Sequence, residues 1–599
     1  MRAADYIIRF LADRGIRHIF LVTGGGAMHL DDAIGREKRI EYVCNLHEQA
    51  CAMAAEGYAR ISGLPGVVCV TSGPGGTNAI TGVAGAWLDS IPMIVLSGQV
   101  KTSTMLPAGA GPKPRQLGDQ ELNIIDLVRP ITKLATCVTD PARLRYVLEN
   151  AWHLARSGRP GPVWIDLPLD VQAADVGDGS RLAPGPEPVP EPSPSPAAVA
   201  EAAERLRRAE RPVIVAGNGV TLSGARELFR EYAAEAGIPV LTSISGIDLI
   251  ASDSPLFFGR PGILGERGAN FILQNADLVL VIGARMSLRV IGFAFESTAR
   301  AAFRIMVDID PGELAKPTFR PDLPLCCDAG EFLKELRKQL PELPPRPEWL
   351  AYCRRVRAAY PVVLPEHRER TDYVSSYAFP ELLGRALRGD EIVVTGNGTA
   401  YTSTFQALPV RAGMRVFANV GCASMGYGLP AAIGAALAGG GRETICLTGD
   451  GSLQMNLQEL QTVRLRRLPL KIFVYNNAGY LSIKQTQKSY FGGHFVGSEA
   501  GSGVVLPELE KLAGAYGLAF CRLRTNAEAE KRLPEILAVP GPALVEVMTD
   551  PFERLGPKAA SKQLPDGTMV SAPLEDLAPF LPREEFRRNM LIPPLPEDF

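Results

Sequence analysis

The run Gly449-Asp450-Gly451-Ser452, followed at Asn476-Asn477 by a pair of asparagines, constrains this chain most. An apolar stretch, Thr444–Thr448, leads into the first motif, and Leu470–Tyr475 leads into the second. Continuously apolar segments of this length suit strands buried on both faces, as in parallel sheets. Two parallel strands ending this way deliver a carboxylate and an amide oxygen to one carboxyl edge, where open α/β sheets bind ligands. Asp450, the side-chain oxygen of Asn477 and a backbone carbonyl near Gly479 form a hard-oxygen half-shell. Such a shell suits Mg²⁺, which is usually held by few protein groups and completed by phosphate oxygens and water. Gly449, Gly451 and Ser452 open the next helix, whose free N–H groups can hold phosphate. The residues read as a site for a metal-bridged diphosphate.

A chain of 599 residues has room for three or four domains. Three blocks of strand–helix alternation are separated by proline-rich breaks, the first being Ala183–Pro196. The boundaries that follow are an N-terminal domain over 1–175, a linker over 176–196 and a central domain over 197–340. A second linker at 341–372, a third domain at 373–550 and a C-terminal arm at 551–599 complete the chain. The fold class is α/β, with three doubly wound parallel sheets. A net charge of −2 leaves no footprint for nucleic acid or an acidic membrane surface. No apolar run approaches the ~18 residues of a membrane span. Ten scattered cysteines without a C-x-x-C pair fit a reducing cytoplasm. The adjacent pair Cys326-Cys327 is expected in the core.

Gly-Asp-Gly, 24 intervening residues and Asn-Asn resemble the diphosphate motif of thiamine diphosphate (ThDP) enzymes. Three α/β blocks with that motif in the third resemble the pyrimidine-binding, central and diphosphate-binding domains of the acetolactate synthase/pyruvate decarboxylase group. The resemblance covers nearly the whole chain. It extends to His47-Glu48-Gln49 and the Ala-rich helix running to Arg60, a signature in which the glutamate binds N1′ of the aminopyrimidine. The chemical need is clear. The thiazolium C2 proton is weakly acidic, and a carboxyl on N1′ favours the imino tautomer that removes it. By itself, Glu48 could equally be an acidic residue capping a helix. His47 is either a proton shuttle or a satisfied core histidine.

The same resemblance implies further contacts. Met425 stands where a bulky apolar residue props the coenzyme into its bent form, and the Ala423 carbonyl would accept from the 4′-amino group. Gly396, Asn397, Gly398 and Thr399 would approach the diphosphate, although Thr399-Ala400 replaces the Gln-His of related synthases. Gln99 and Gln120 resemble active-site glutamines, and Asp119 replaces a phenylalanine. Ser482 and Lys484 stand where acetolactate synthases carry an apolar residue and a tryptophan, so a more polar second substrate is expected. Lys484 is otherwise a solvated helix lysine. Gly479-Tyr480, Ser482-Ile483 and the tail segment Lys562–Ser571 resemble a branch that adds an acetyl unit to a keto-sugar nucleotide, or cyclohexane-1,2-dione hydrolase.

In the central block Gly217 and Gly219, Arg285, and Asp308 and Asp310 each follow a strand and resemble an FAD site. The expected activity is a ThDP- and Mg²⁺-dependent carboligase that decarboxylates a 2-keto acid, pyruvate above all, and adds the unit to a second carbonyl. Acetolactate synthase proper, or a decarboxylase or C–C hydrolase, are the near alternatives. A flavin or nicotinamide oxidoreductase explains neither Asp450 and Asn477 nor Glu48, and a non-catalytic subunit usually loses those ligands. Glu48 and Asp450 lie in different blocks, which in this group face each other across subunits. A homodimer or homotetramer is therefore expected.

Overall fold

The computed structural model describes residues 1–106, 112, 114–340, 342–563 and 566–595. Pro341 of the second break and Leu564-Pro565 of the tail segment lie outside them. The chain folds into three parallel-sheet α/β units. The first sheet comprises β1 (His18–Leu21), β2 (Glu41–Cys44), β3 (Gly66–Val70), β4 (Met93–Gln99), β5 (Leu134–Cys137) and β6 (Pro162–Pro168). Their spatial order is β2-β1-β3-β4-β6-β5. The central sheet holds β7 (Pro212–Ala216), β8 (Val240–Thr242), β9 (Leu278–Ile282), β10 (Phe303–Asp308) and β11 (Leu323–Cys326), in the order β11-β10-β9-β7-β8. The last holds β12 (Ile392–Thr395), β13 (Arg415–Phe417), β14 (Thr444–Gly449), β15 (Leu470–Asn476), β16 (Ala519–Leu523) and β17 (Ala543–Met548), ordered β13-β12-β14-β15-β17-β16.

The first and third sheets thus share one topology, which places a switch point between β12 and β14 in the third. Central strands such as β3, β4, β9 and β12 are buried along their whole length, as their unbroken apolar runs require. Edge strand β11 tolerates Pro324 because an edge leaves one row of N–H groups unpaired.

Two helices join the first and third units. In Glu48–Ser62 and Gly428–Ala438 the backbones meet so closely that a Cβ on Gly57 would lie 2.1 Å from the Ala431 oxygen, and one on Gly434 would lie 1.8 Å from the Ala54 oxygen. Small side chains at these positions let the helices pack at near-backbone distance.

Two expectations need correction. The segment read as a second linker contains the helix Pro347–Ala359, whose Trp349, Tyr352, Cys353 and Val356 are buried in the central core. Trp349 also donates to the Pro212 carbonyl at 2.9 Å. A helix after these prolines was expected; its burial in the central core was not. Cys327 is buried, but Cys326 is exposed, because it sits on an alternating edge strand rather than a two-faced one. Among the described residues no helix is long and apolar enough to cross a membrane. The C-terminal arm is fastened to the central unit: Asn270 donates to the Leu574 carbonyl at 2.8 Å, and Arg267 donates to the carbonyls of Leu577 and Pro579.

Candidate functional site

Strands β14 and β15 are adjacent and parallel, with Gly449 paired to Tyr475. Their ends therefore bring Asp450 and Asn477 to the same carboxyl edge. Asp450 is buried; its Oδ1 accepts from Gly451 N at 2.8 Å and its Oδ2 from Gly479 N at 3.1 Å. Burial pushes its pKa up to about 6 despite those bonds. Asn477 donates from Nδ2 to Thr399 Oγ1 at 3.4 Å, whereas its Oδ1 is buried with no hydrogen-bond partner. An orphaned amide oxygen beside an under-compensated carboxylate is what a cation-binding pair looks like without its ion. The donor set of carboxylate, amide oxygen and backbone carbonyl fits Mg²⁺. Gly479 has φ +128°, and a Cβ there would strike the Ser498 oxygen at 2.2 Å, so only glycine permits this turn.

The phosphate side is equally open. Gly398, at φ +70°, caps the Thr399–Ala407 helix and faces free space, as does Gly449. Thr399 is buried at the first helical position, and Gly396 sits 3.1 Å (Cβ position) from Thr448 Oγ1. Gly451 lies against the Tyr480 ring, where a Cβ would come within 2.2 Å. Ser452 Oγ accepts from Gly426 N at 2.9 Å, tying the diphosphate motif to the glycine-rich turn.

That turn carries Ala423 and half-buried Met425. Ala423 adopts φ +53°, unusual for a residue with a side chain. Both sides of its peptide are held: Asn419 Oδ1 accepts its N–H at 3.1 Å, and Asn397 Nδ2 donates to its carbonyl at 2.5 Å. Asn397, expected at the diphosphate, instead spends its amide on this turn, because its own position after β12 faces the turn.

Lys484 corrects the sequence reading most. It is buried, not a solvated helix lysine: its Nζ donates to the Asn477 carbonyl at 3.0 Å and sits 5.1 Å above the Phe552 ring. Burial lowers its pKa, against the pull of Glu499, Asp450 and Asp550. One of its three N–H donors is thereby committed to the backbone of the Asn477 loop. Ser482, on the same helix, is exposed.

In the first unit Glu48 begins its helix and is buried, with Oε2 accepting from Asn78 Nδ2 at 2.9 Å. His47 is half-buried and caps the helix, its Nδ1 accepting from Gln49 N at 3.1 Å, which puts the ring proton on Nε2. Gln99 is buried and fully engaged, donating to the Leu122 carbonyl at 2.9 Å and to Asp166 Oδ2 at 3.0 Å. Asp166 is pushed up to about 7 by burial. Gln120 and Asp119 are exposed, and Gln120 has φ +60°.

A cavity of about 760 Å³ lies where the central unit meets the other two, bordered by Gly219, Arg285 and Asp308, by Arg60 and Asp89, and by Val420 and Gly421. Its glycines have a structural reason as well: a Cβ on Gly217 would lie 2.4 Å from the Gly283 oxygen, and one on Gly219 would lie 2.6 Å from Gly283 Cα. Asp310 faces Arg159 at 2.8 Å, and Asp308 is raised to about 6 by burial. Arg285 lies 3.6 Å from Glu313 and donates to the Leu88 carbonyl. Sequence reasoning missed Asn419 and Asp89. The usable signal was a polar residue inside an otherwise apolar stretch, as with Asn419 after Val416-Phe417-Ala418.

The fold and the donor set at its carboxyl edge fit a diphosphate-bearing coenzyme. Comparison with known proteins agrees. The thiamine pyrophosphate enzyme N-terminal TPP binding domain matches residues 1–124, the central domain 199–336 and the C-terminal TPP binding domain 396–547. The acetolactate synthase isozyme 1 large subunit of Escherichia coli (strain K12) is 35% identical over 92% of this chain and 95% of its own length. The isozyme 2 large subunit of the same organism is 32% identical over 96% and 100%. A probable acetolactate synthase large subunit of Methanocaldococcus jannaschii is 33% identical over 93% of each. The chain belongs to the thiamine pyrophosphate (thiamine diphosphate) enzymes, in the group of the acetolactate synthases.

Proposed function

We propose that the chain is a carboligase that decarboxylates pyruvate and joins the two-carbon unit to a second 2-keto acid. The unpartnered Asn477 Oδ1 beside buried Asp450 carries this reading, because it supplies the metal-bridged diphosphate grip that the reaction's coenzyme needs. Bound ThDP supplies an electron sink for decarboxylation and a carbon nucleophile for ligation.

In this reading Asp450, Asn477 and the Gly479 carbonyl hold Mg²⁺. Gly396, Gly398, Thr399, Gly449, Gly451 and Ser452 line the phosphates, with Tyr480 packed behind Gly451. Ala423 and Met425 orient the aminopyrimidine. Glu48 holds a proton at N1′ from the first unit of a partner chain, making a homodimer or a pair of homodimers the active form. Exposed Leu46 and Met455, near the Glu48 helix, supply apolar surface for that contact. Gln99 fixes the wall of the first unit, Gln120 borders the entrance, and His47 orients the helix that carries Glu48. The cavity suits an FAD-sized ligand, with Gly219, Arg285 and Asp308 in its wall and Gly217 and Asp310 in the same strand-end turns. A cytoplasmic location fits ten free cysteines.

The acetolactate synthase relatives favour a second 2-keto acid over a keto-sugar as acceptor. A polyhydroxylated acceptor rests on Asp119, Ser482 and Lys484 and on the segments Gly479-Tyr480 and Lys562–Ser571. One experiment separates the readings: incubate the protein with ThDP, Mg²⁺ and pyruvate, with and without a second 2-keto acid or a keto-sugar nucleotide, and follow CO₂ and products. Acetolactate from pyruvate alone is expected. No CO₂ release, or product only with the keto-sugar, defeats the proposal.

A further inference from the structure

The end of the Pro74–Asp89 helix is a junction of all three units. Its last turn offers three consecutive groups, each bonded to a different element. The Leu88 carbonyl accepts from Arg285 of the central unit. Asp89 accepts from Val420 N at 2.8 Å, from Gly421 N at 2.7 Å and from Arg60 at 2.7 Å. Ser90 Oγ accepts from Arg159 at 2.8 Å, and Arg159 reaches Asp310 and Glu313 of the central unit.

Asp89 does not act alone. Its side chain is 5% exposed, and Arg60, 6% exposed, bridges it to fully buried Glu56 at 2.5 Å. Glu56 accepts from Asn419 Nδ2 at 3.2 Å and from the Tyr427 hydroxyl at 3.3 Å. Asn419 in turn holds the N–H groups of Cys422 and Ala423, both at 3.1 Å. Two carboxylates of the first unit therefore grip the same loop of the third unit at successive points. Asp89 takes the backbone of 420–421, and Glu56 works through Asn419 on 422–423.

That loop needs gripping. Ala423 holds a left-handed conformation that a non-glycine residue keeps only where its surroundings over-determine it. Charged acceptors on backbone N–H groups are the strong form of hydrogen bond, and the Asp89 carboxylate that takes two of them is itself held by Arg60.

We propose that Asp89, with Glu56 behind Arg60, is a positioning residue for the coenzyme: it fixes the 419–425 loop so that the Ala423 carbonyl and Met425 meet the aminopyrimidine. The inference rests on the assignment of Ala423 and Met425 to the coenzyme. The first unit then serves two coenzymes. It offers Glu48 to the partner's, and through Asp89 it shapes the loop for its own. Arg60, Asp89, Val420 and Gly421 also form part of the wall of the central cavity, so a ligand there would touch the same support.

The test compares full-length wild type with Asp89→Ala, Asp89→Asn and Glu56→Gln. Amide hydrogen exchange over residues 419–426 is measured without coenzyme, ThDP binding is titrated with Mg²⁺ present, and the melting temperature is recorded. In Asp89→Ala, exchange in that loop is expected to quicken at least about tenfold and the ThDP Kd to rise about tenfold. Asp89→Asn, which keeps one acceptor oxygen, should fall between. If Asp89→Ala does not fold, the isosteric Asp89→Asn and Glu56→Gln carry the test. Loop exchange and Kd within twofold of wild type, even with a lower melting temperature, overturn the proposal. A wild-type chain that binds no ThDP overturns instead the coenzyme assignment beneath it, which sets the two failures apart.

Discussion

The ammonium of Lys484 donates at 3.0 Å to the backbone carbonyl of Asn477, the residue whose amide oxygen is buried without a hydrogen-bond partner. A buried cation there braces the metal loop, and its charge balances Asp450, Glu499 and Asp550. Replacing it with methionine keeps the stem's packing but removes the brace. Lys484→Met is expected to raise the Mg²⁺ concentration for half-maximal ThDP binding by roughly tenfold. The preference among acceptors should stay the same. A changed acceptor preference at unchanged Mg²⁺ requirement would return Lys484 to the substrate pocket.

Asp450→Asn removes the charge that makes the oxygen shell a cation site. Ligands that bind only the folded chain stabilise it by mass action. Wild type should therefore melt several degrees higher with saturating ThDP and Mg²⁺, and the variant should show little of that gain. Thermal melts with each component alone and together check it. An undiminished shift in the variant would move the metal elsewhere.

Glu48→Gln keeps the side chain's shape and can still bond Asn78. Coenzyme binding should persist, while exchange of the C2 proton, read by NMR of the quenched coenzyme, slows by several orders of magnitude. Wild-type exchange in this variant would remove Glu48 from the proposed role.

Asp166 gives a pH signature outside the metal site. Burial raises its folded pKa from 3.8 to about 7, against the bonds from Ser97 and Gln99. Between those values the folded chain holds the extra proton, so this group's contribution to stability falls as pH rises through the window. Asp166→Asn does not titrate. The melting temperature of the variant relative to wild type should therefore climb from pH 4.5 to pH 8. A constant difference across that range would show that the carboxyl titrates normally.

The metal edge was legible because its signal is local. A carboxylate and an asparagine, each at the end of an unbroken apolar strand, leave little choice about the edge they share. Glu48 stood out only through the His47–Arg60 signature, because an acidic residue at a helix start is by itself an ordinary cap. What escaped reading was long-range. Asp89 and Val420 are 331 residues apart, and no periodicity links them. The burial of Lys484 was not legible, because Phe552 and the Asn477 carbonyl are brought to it by other elements. The helix after the second proline-rich break was legible, but its burial in the central core was not, because partners such as the Pro212 carbonyl lie far off in sequence.

Gly57 and Gly434 leave the seam between the outer units with no slack. A hinge at that place would have to pull apart backbones already in van der Waals contact, so the two lobes travel as one rigid body. Whatever breathing admits a bulky coenzyme must come from surface segments or from the separation of whole subunits. A single added methyl group at either glycine would act as a wedge felt at both ends of the molecule.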